Sequence, residues 1–173
     1  RLARLVRSML ELSRLQAKDR ATLLKNSFDI SEQLRLTLIT FADKIDQKHL
    51  EVVFNVPEEA IKVLGDVDAI TQVIYNLLDN AIKYAAPETE IQVSLEQLKR
   101  GVKLTVTNVC EQVPEGDPDR LFDRFYRPDV SRTAATGGFG IGLSIAKSIA
   151  EAHHGTIRAS VQGTVISFAA ELK

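Results

Sequence analysis

The sequence predicts an α+β fold, a sheet with helices on one face, from three observations. Helical and strand patterns are mixed along a single chain, and the later strands come in pairs joined by short turns. The 173 residues are enough for one compact domain with a core plus a short appendage, and too few for a second full domain. Hydrophobic residues make up 45% and charged residues 26%, the balance of a soluble globular protein, which argues against disorder. A formal charge of -1 provides no global field toward nucleic acid or anionic lipid, so neither nucleic-acid binding nor membrane contact is expected of this piece. The lone Cys110 has no internal disulfide partner and suits a reducing compartment. No apolar run approaches the roughly 20 residues of a membrane span. The chain opens inside a helical pattern without a start methionine, so it reads as a fragment whose parent carries any membrane segments upstream.

Each element has its own local reason. Leu2, Leu5, Met9 and Leu12 alternate spacings of three and four, which predicts a helix laid against partner helices over Arg1–Gln16. Asn26–Ile30 reads as a short strand, with Asp29 or Ser31 capping a helix that runs to about Gln47. Leu50–Val56 and Ala60–Leu64 are β-rich and flank the turn signal Pro57-Glu58-Glu59, which predicts a hairpin. Asp66 then opens a long helix with an apolar stripe of Ile70, Val73, Ile74, Leu77 and Ala81. Strands follow at Glu90–Leu98 and Val102–Asn108. Cys110 to about Gly138 is a long irregular segment, of the kind that usually has a function. A helix carrying Ile145, Ile149 and Ala152 and two strands, Thr156–Val161 and Val165–Leu172, complete the chain.

Three groups of residues could carry chemistry. Asn76, Asn80 and Lys83 share a flank of the long helix at spacings of four and three. Carboxamide oxygens are neutral ligands for a hard cation such as Mg²⁺, and a lysine one turn on can meet phosphate oxygens. Asparagines inside a helix cost propensity relative to alanine, so a function or a solvated flank must account for them. Gly137-Gly138-Phe139-Gly140-Ile141-Gly142 before a helix lets backbone N–H groups approach a phosphate, although a glycine-rich turn is also common punctuation. In Leu121–Arg132, apolar Leu121, Phe122 and Phe125 can anchor a loop while Arg124, Arg127 and Arg132 reach a γ-phosphate. The alternative there is a short amphipathic helix on the core.

Taken together, these groups resemble the histidine-kinase branch of the Bergerat-fold ATPase superfamily. Ile74–Tyr84 looks like its N box, Leu121–Arg127 its F box and Gly138–Ala146 its second glycine box, and Glu151–Ile157 is similar to its helix-to-strand exit. Residues 1–18 resemble the last helix of the dimerisation and histidine phosphotransfer module, and residues 26–173 the ATP-binding catalytic domain. The resemblance implies a two-layer sandwich, mixed in strand direction, that binds ATP and Mg²⁺ beneath a lid of roughly Cys110–Gly138. It implies that Asn80 ligates Mg²⁺, with Asn76 beside the phosphates and Lys83 and Tyr84 near them. Gly138, Gly140 and Gly142 would let the lid hinge, and Phe125, Ile141 and Leu143 would border the nucleotide. The implied activity moves the γ-phosphate of ATP to a histidine on the chain's own dimerisation module, within a homodimer, for relay to the receiver domain of a response regulator. The implied location is the cytoplasmic side of a parent protein anchored in the bacterial inner membrane.

Two features depart from the family pattern. Its first glycine box reads D-x-G-x-G, whereas this chain has Asn108-Val109-Cys110-Glu111-Gln112. By the resemblance Asn108 meets the adenine amino group, and its amide oxygen can still accept that bond without the strengthening charge. The phospho-accepting histidine is also absent. His49 reads as exposed between helix and strand, and His153-His154 as the close of a helix. Superfamily ATPases need a general base, typically a carboxylate at the position of Asn76, which an amide cannot replace. Phosphoryl transfer to a protein group is therefore favoured over an ATPase; the alternative is a nucleotide-binding pseudokinase whose altered first glycine box no longer supports turnover.

Overall fold

The computed structural model describes residues 26–126 and 140–173. The helix expected over residues 1–18 lies outside them. The elements are β1 (Asn26–Asp29), α1 (Ile30–Ile39), α2 (Ala42–Gln47), β2 (Glu51–Asn55), β3 (Lys62–Gly65) and α3 (Val67–Tyr84). Then come β4 (Glu90–Gln97), β5 (Val102–Val109), a 3₁₀ turn (Pro118–Phe122), α4 (Gly142–Ala152), β6 (Thr156–Gln162) and β7 (Val165–Leu172).

Five strands form a mixed sheet in the order β2-β4-β5-β7-β6, with β2 parallel to β4 and every other pairing antiparallel. Its inner face is apolar because alternate residues point one way: Ile91 and Val93 on β4, Val102, Leu104 and Val106 on β5, and Ile166, Phe168 and Ala170 on β7 are all buried. The intervening residues, including Ser94, Lys103, Thr105, Thr107 and Ser167, are polar and partly exposed. Helices therefore gain by covering one face only, and the result is the expected α+β two-layer sandwich. Across the inner face lie Val73, Ile74, Leu77, Leu78 and Ala81 of α3 with Ile145, Ala146 and Ile149 of α4, all buried. Each large aliphatic side chain so buried contributes about 1.5–3 kcal/mol. No described helix is long and apolar enough to cross a membrane.

Two expectations are corrected. β2 and β3 do not form a hairpin: β2 pairs with β4, and β3 forms a separate two-stranded ribbon with β1. The helix expected to reach Gln47 without a break is two helices. The Thr40 hydroxyl donates back to Thr37 O (2.6 Å), and Phe41 leaves the helical path to bury its ring, 5.0 Å from that of Tyr75. A threonine bonded to its own backbone competes with helix propagation.

The helix ends are closed by named contacts. Asp29 Oδ1 accepts from Ser31 N–H at 2.9 Å, so Asp29 is the cap of α1. Asp66 caps α3 through Ala69 N–H (3.1 Å). At the far end of α3, the Lys48 ammonium donates to Ile82 O, Lys83 O and Ala85 O at 3.0, 2.7 and 2.8 Å. A helix C-terminus holds unpaired carbonyls and partial negative charge, and this cation meets both. Ala86 N–H then donates to Val109 O (2.8 Å), and Ala85 bridges to Cys110, which fastens the exit of α3 to the end of β5.

His153 closes α4, as expected for the histidine pair. Its ring Nε2 accepts Asp66 N–H at 3.2 Å, so Nδ1 carries the proton and donates to Ile149 O at 2.9 Å. One imidazole thus joins the end of α4 to the start of α3. Gly155 follows because a Cβ there would stand 1.8 Å from Glu171 O. His49 is exposed between α2 and β2, also as expected.

Candidate functional site

Asn76, Asn80, Lys83 and Tyr84 are half-buried on α3, and the first three follow one flank of the helix. Asn76 lies against the start of α4: a Cβ on Gly142 would stand 3.3 Å from Asn76 Oδ1, so only a glycine fits there without displacing the carboxamide. Asn76 Nδ2 is buried with no hydrogen-bond partner among the described residues. The Lys83 ammonium lies 4.7 Å from the centre of its neighbour Tyr84's ring, a cation–π contact that holds it at the end of the stripe.

Asn108 continues the inward series Val102, Leu104, Val106 on β5 and is 1% exposed. Its Nδ2 donates to Cys110 Sγ at 3.1 Å, and its Oδ1 has no partner. Asn76 Nδ2 and Asn108 Oδ1 are the buried side-chain polar atoms left unpaired among the described residues. Each such atom costs about 1–3 kcal/mol if nothing pairs with it, so both are places where a ligand could supply the partner. One is a donor and the other an acceptor. Burial pushes the Cys110 thiol pKa up, against smaller opposing effects of the Asn108 hydrogen bond and the Lys48 charge, so the group stays a neutral thiol. Burial also lowers the Lys48 pKa, with Glu111 and Cys110 opposing.

The third group sits at the entry to α4. Gly140 has φ +67°, Ile141 and Leu143 are buried, and Ser144 Oγ donates to Ile141 O at 2.8 Å. Among the described residues no side chain caps the helix N-terminus at Ile141, so its first N–H groups could meet an anion. Phe125, with φ +63°, donates its N–H to Gly140 O at 3.1 Å and so adjoins the glycine turn. The expected aromatic anchoring divides. Phe122 is buried edge-on to Phe168 (6.2 Å, 86°), whereas Phe125 is 55% exposed and has no aromatic ring contact among the described residues. A carboxylate does the rest of the fastening: Asp119 accepts from Ala159 N–H and from Arg158 Nη1, both at 2.8 Å. Burial alone would raise the Asp119 pKa, but these two bonds and the charges of Arg158 and Lys147 together hold it below the ordinary carboxylate value. Arg127, Arg132 and Gly138 lie outside the described residues.

The residues present fit a Mg²⁺–nucleotide. A purine amino group would satisfy Asn108 Oδ1, and phosphate oxygens would satisfy Asn76 Nδ2 and the N-terminus of α4. Among the described residues no cluster of three His, Cys, Asp or Glu side chains is placed to hold a metal. A cation here would be held mainly by phosphate oxygens and by the Asn80 carboxamide, the donor set suited to Mg²⁺ rather than to a soft metal. Sequence reasoning missed Lys48 and the role of Cys110. Lys48 acts on carbonyls 34 to 37 residues away, which no local pattern signals.

A two-layer sandwich with an asparagine-bearing helix, an inward polar group on a central strand and an uncapped glycine-led helix defines a nucleotide-binding catalytic domain. Residues 65–173 match the family of histidine kinase-, DNA gyrase B- and HSP90-like ATPases, and the chain belongs to that family. It is 34% identical over 174 residues to the sensor histidine kinase WalK of Bacillus subtilis, covering 97% of this chain and 28% of that relative. The chain thus spans less than a third of that protein. Among solved structures, the Acinetobacter baumannii histidine kinase AdeS is similar at 26% identity and TM-score 0.79, over 99% of this chain and 78% of that one. The histidine kinase ThkA in complex with the response regulator protein TrrA is similar at 26% identity and TM-score 0.78, over 99% and 47%.

Proposed function

We propose that this chain is the catalytic part of a sensor histidine kinase, binding Mg²⁺·ATP and transferring the γ-phosphate to a histidine on the dimerisation module of its parent protein. The observation that carries the reading is the pair of buried unpaired atoms, Asn108 Oδ1 and Asn76 Nδ2, presented by the two elements that flank the inner layer. Asn108 accepts from the adenine amino group. Asn76 and the N-terminus of α4 hold phosphate oxygens, and Lys83 and Tyr84 border them. Asn80 ligates Mg²⁺, which neutralises charge on the phosphates when bound. Arg127 and Arg132 reach the γ-phosphate, with Phe125, Gly138, Gly140, Ile141, Gly142 and Leu143 bordering the nucleotide. No carboxylate stands at Asn76 to activate water, so the acceptor histidine is itself the nucleophile.

The phosphoryl group then passes to the receiver domain of a response regulator, a partner supported by the ThkA–TrrA complex. The parent works as a homodimer anchored in the bacterial inner membrane, with this domain on the cytoplasmic side.

Radiolabel from the γ-position of ATP should appear on a separately supplied dimerisation module and not on this chain. Asn80→Ala should lower that transfer at least about a hundredfold with the fold retained, because one positioned group in phosphoryl transfer is worth several kcal/mol. A domain that binds Mg²⁺·ATP but labels no acceptor would be a pseudokinase. Unchanged transfer by Asn80→Ala would refute the metal assignment.

A further inference from the structure

Asp79 and Lys83 stand one turn apart on α3, with the carboxylate on the N-terminal side. That spacing and order favour an ion pair along the helix. The pair is not made. Asp79 Oδ1 accepts instead from the Lys44 ammonium of α2 at 2.8 Å. The Lys83 ammonium lies over the Tyr84 ring and meets no carboxylate among the described residues.

Lys44 reaches Asp79 because the chain breaks after α1. Phe41 turns inward there and sets its buried ring 5.0 Å from that of Tyr75 on α3. The first turn of α2 then brings the Lys44 ammonium to 5.1 Å from the centre of the Phe41 ring. Tyr75 and Asp79 are four residues apart, so Phe41 and Lys44 engage consecutive turns of one ridge. The Asp79 hydrogen bond raises the Lys44 pKa against a smaller effect of burial, with the charges of Asp79 and Tyr75 adding to it.

The pair contributes little to stability, since the Lys44 and Asp79 side chains are 54% and 36% exposed. Its effect is on where charge lies. Asn76, Asp79, Asn80 and Lys83 share one side of α3 at helical spacings, so a carboxylate left to itself would stand in the flank that meets phosphate. It would engage Lys83 and repel the anion.

We infer that Lys44 is a positioning residue for the phosphate site: by holding the Asp79 carboxylate on the α2 side, it keeps the Lys83 ammonium free of an ion pair and ready for nucleotide phosphate. The inference rests on the reading of Lys83 given above. Lys44 touches no nucleotide in this role and acts through Asp79.

Two measurements on the whole chain test it. Without nucleotide, the Lys83 side-chain signal is followed by NMR, assigned by its loss in Lys83→Met. It should move on Lys44→Met, as the carboxylate turns to Lys83, and shift back when Asp79→Asn is added. With Mg²⁺·ATP, calorimetric titration at low salt should show Lys44→Met binding about two- to threefold more weakly, the range of one exposed ion pair. Adding Asp79→Asn should restore the affinity, and Lys44→Arg should bind as the starting protein does. A purely structural tie would not be rescued by removing its second partner. The inference is overturned by a Lys83 signal that ignores Lys44→Met, by an ATP affinity that does so, or by a loss of affinity that persists in Lys44→Met/Asp79→Asn. Should Lys83→Met bind ATP as well as the starting protein while the NMR response is intact, the phosphate reading of Lys83 fails instead.

Discussion

The exit of α3 and the 3₁₀ turn at Pro118–Phe122 are fastened to the same sandwich in different ways. At the α3 exit, Ala86 N–H bonds to Val109 O, Ala85 bridges to Cys110, and Lys48 binds three carbonyls, so main-chain atoms take part in every contact. The turn depends on two side chains: the Phe122 ring against Phe168, and the Asp119 carboxylate on β6. The α3 exit therefore tolerates substitution at most positions. The side that leads toward the glycine turn can be released by a single change.

Phe122→Ala should have the largest effect, about 3 kcal/mol in urea denaturation, because it removes a fully packed ring. Amide exchange should then rise over Pro118–Tyr126 and not over α3. Equal acceleration in both would show that the two regions open as one unit. Lys48→Met keeps the stem but leaves three carbonyls without their cation, and should cost about 2 kcal/mol. Its exchange signature should fall at Ile82–Ala86. A loss below about 0.5 kcal/mol would mean that water replaces the ammonium there, against the contrast drawn above.

Gly142→Ala sharpens the contrast on the third element. Helix propensity favours alanine by up to about 1 kcal/mol, which offsets the 3.3 Å approach to Asn76 Oδ1. Denaturation should therefore change little while ATP affinity falls severalfold. Unaltered affinity would show that Asn76 need not keep its position. Asp119→Asn should have the smallest effect on stability, under about 1 kcal/mol, since its Arg158 partner is largely exposed. The Asp119 pKa is depressed in the folded state, so its contribution is complete at neutral pH and is lost as pH falls below about 4, through the folded value. The difference between the starting protein and Asp119→Asn should vanish in that acid range. A difference that persists at pH 2.5 would assign the effect to packing.

The sequence made legible what local patterns determine. The stripe from Ile70 to Ala81, the Asp66 cap and the alternation in β4, β5 and β7 each encode their own burial, and the structure agrees within a residue or two. Pairing is a different matter. β2 and β3 have five and four residues, too few for alternation to state a partner, and the Pro57-Glu58-Glu59 turn suggested the nearest one. The partners chosen, β4 and β1, lie more than 30 residues away along the chain, beyond the reach of any local pattern. The break at Thr40 was hidden because Leu38, Phe41 and Ile45 continue a helical spacing across it. In the site, Asn76, Asn80 and Asn108 were legible as residue types at given spacings. That two of their atoms are buried without partners is a property of the assembled layers alone.

The imidazole of His153 has a consequence for how the chain can be cut and rejoined. Asn26 pairs with Gly65, next to the Asp66 N–H that this ring accepts, and Lys173 N–H donates to His153 O at 3.3 Å. The start of β1 and the residue after β7 thus converge on one residue, the first beside the His153 ring and the second at its main-chain carbonyl. Gly163, in the tight turn between β6 and β7, has φ +60° and open space around it, on a loop remote from that meeting point. A short glycine-rich segment from Lys173 to Asn26, with new ends opened at Gly163, would reorder the strands along the gene while keeping α3 and α4 over the sheet.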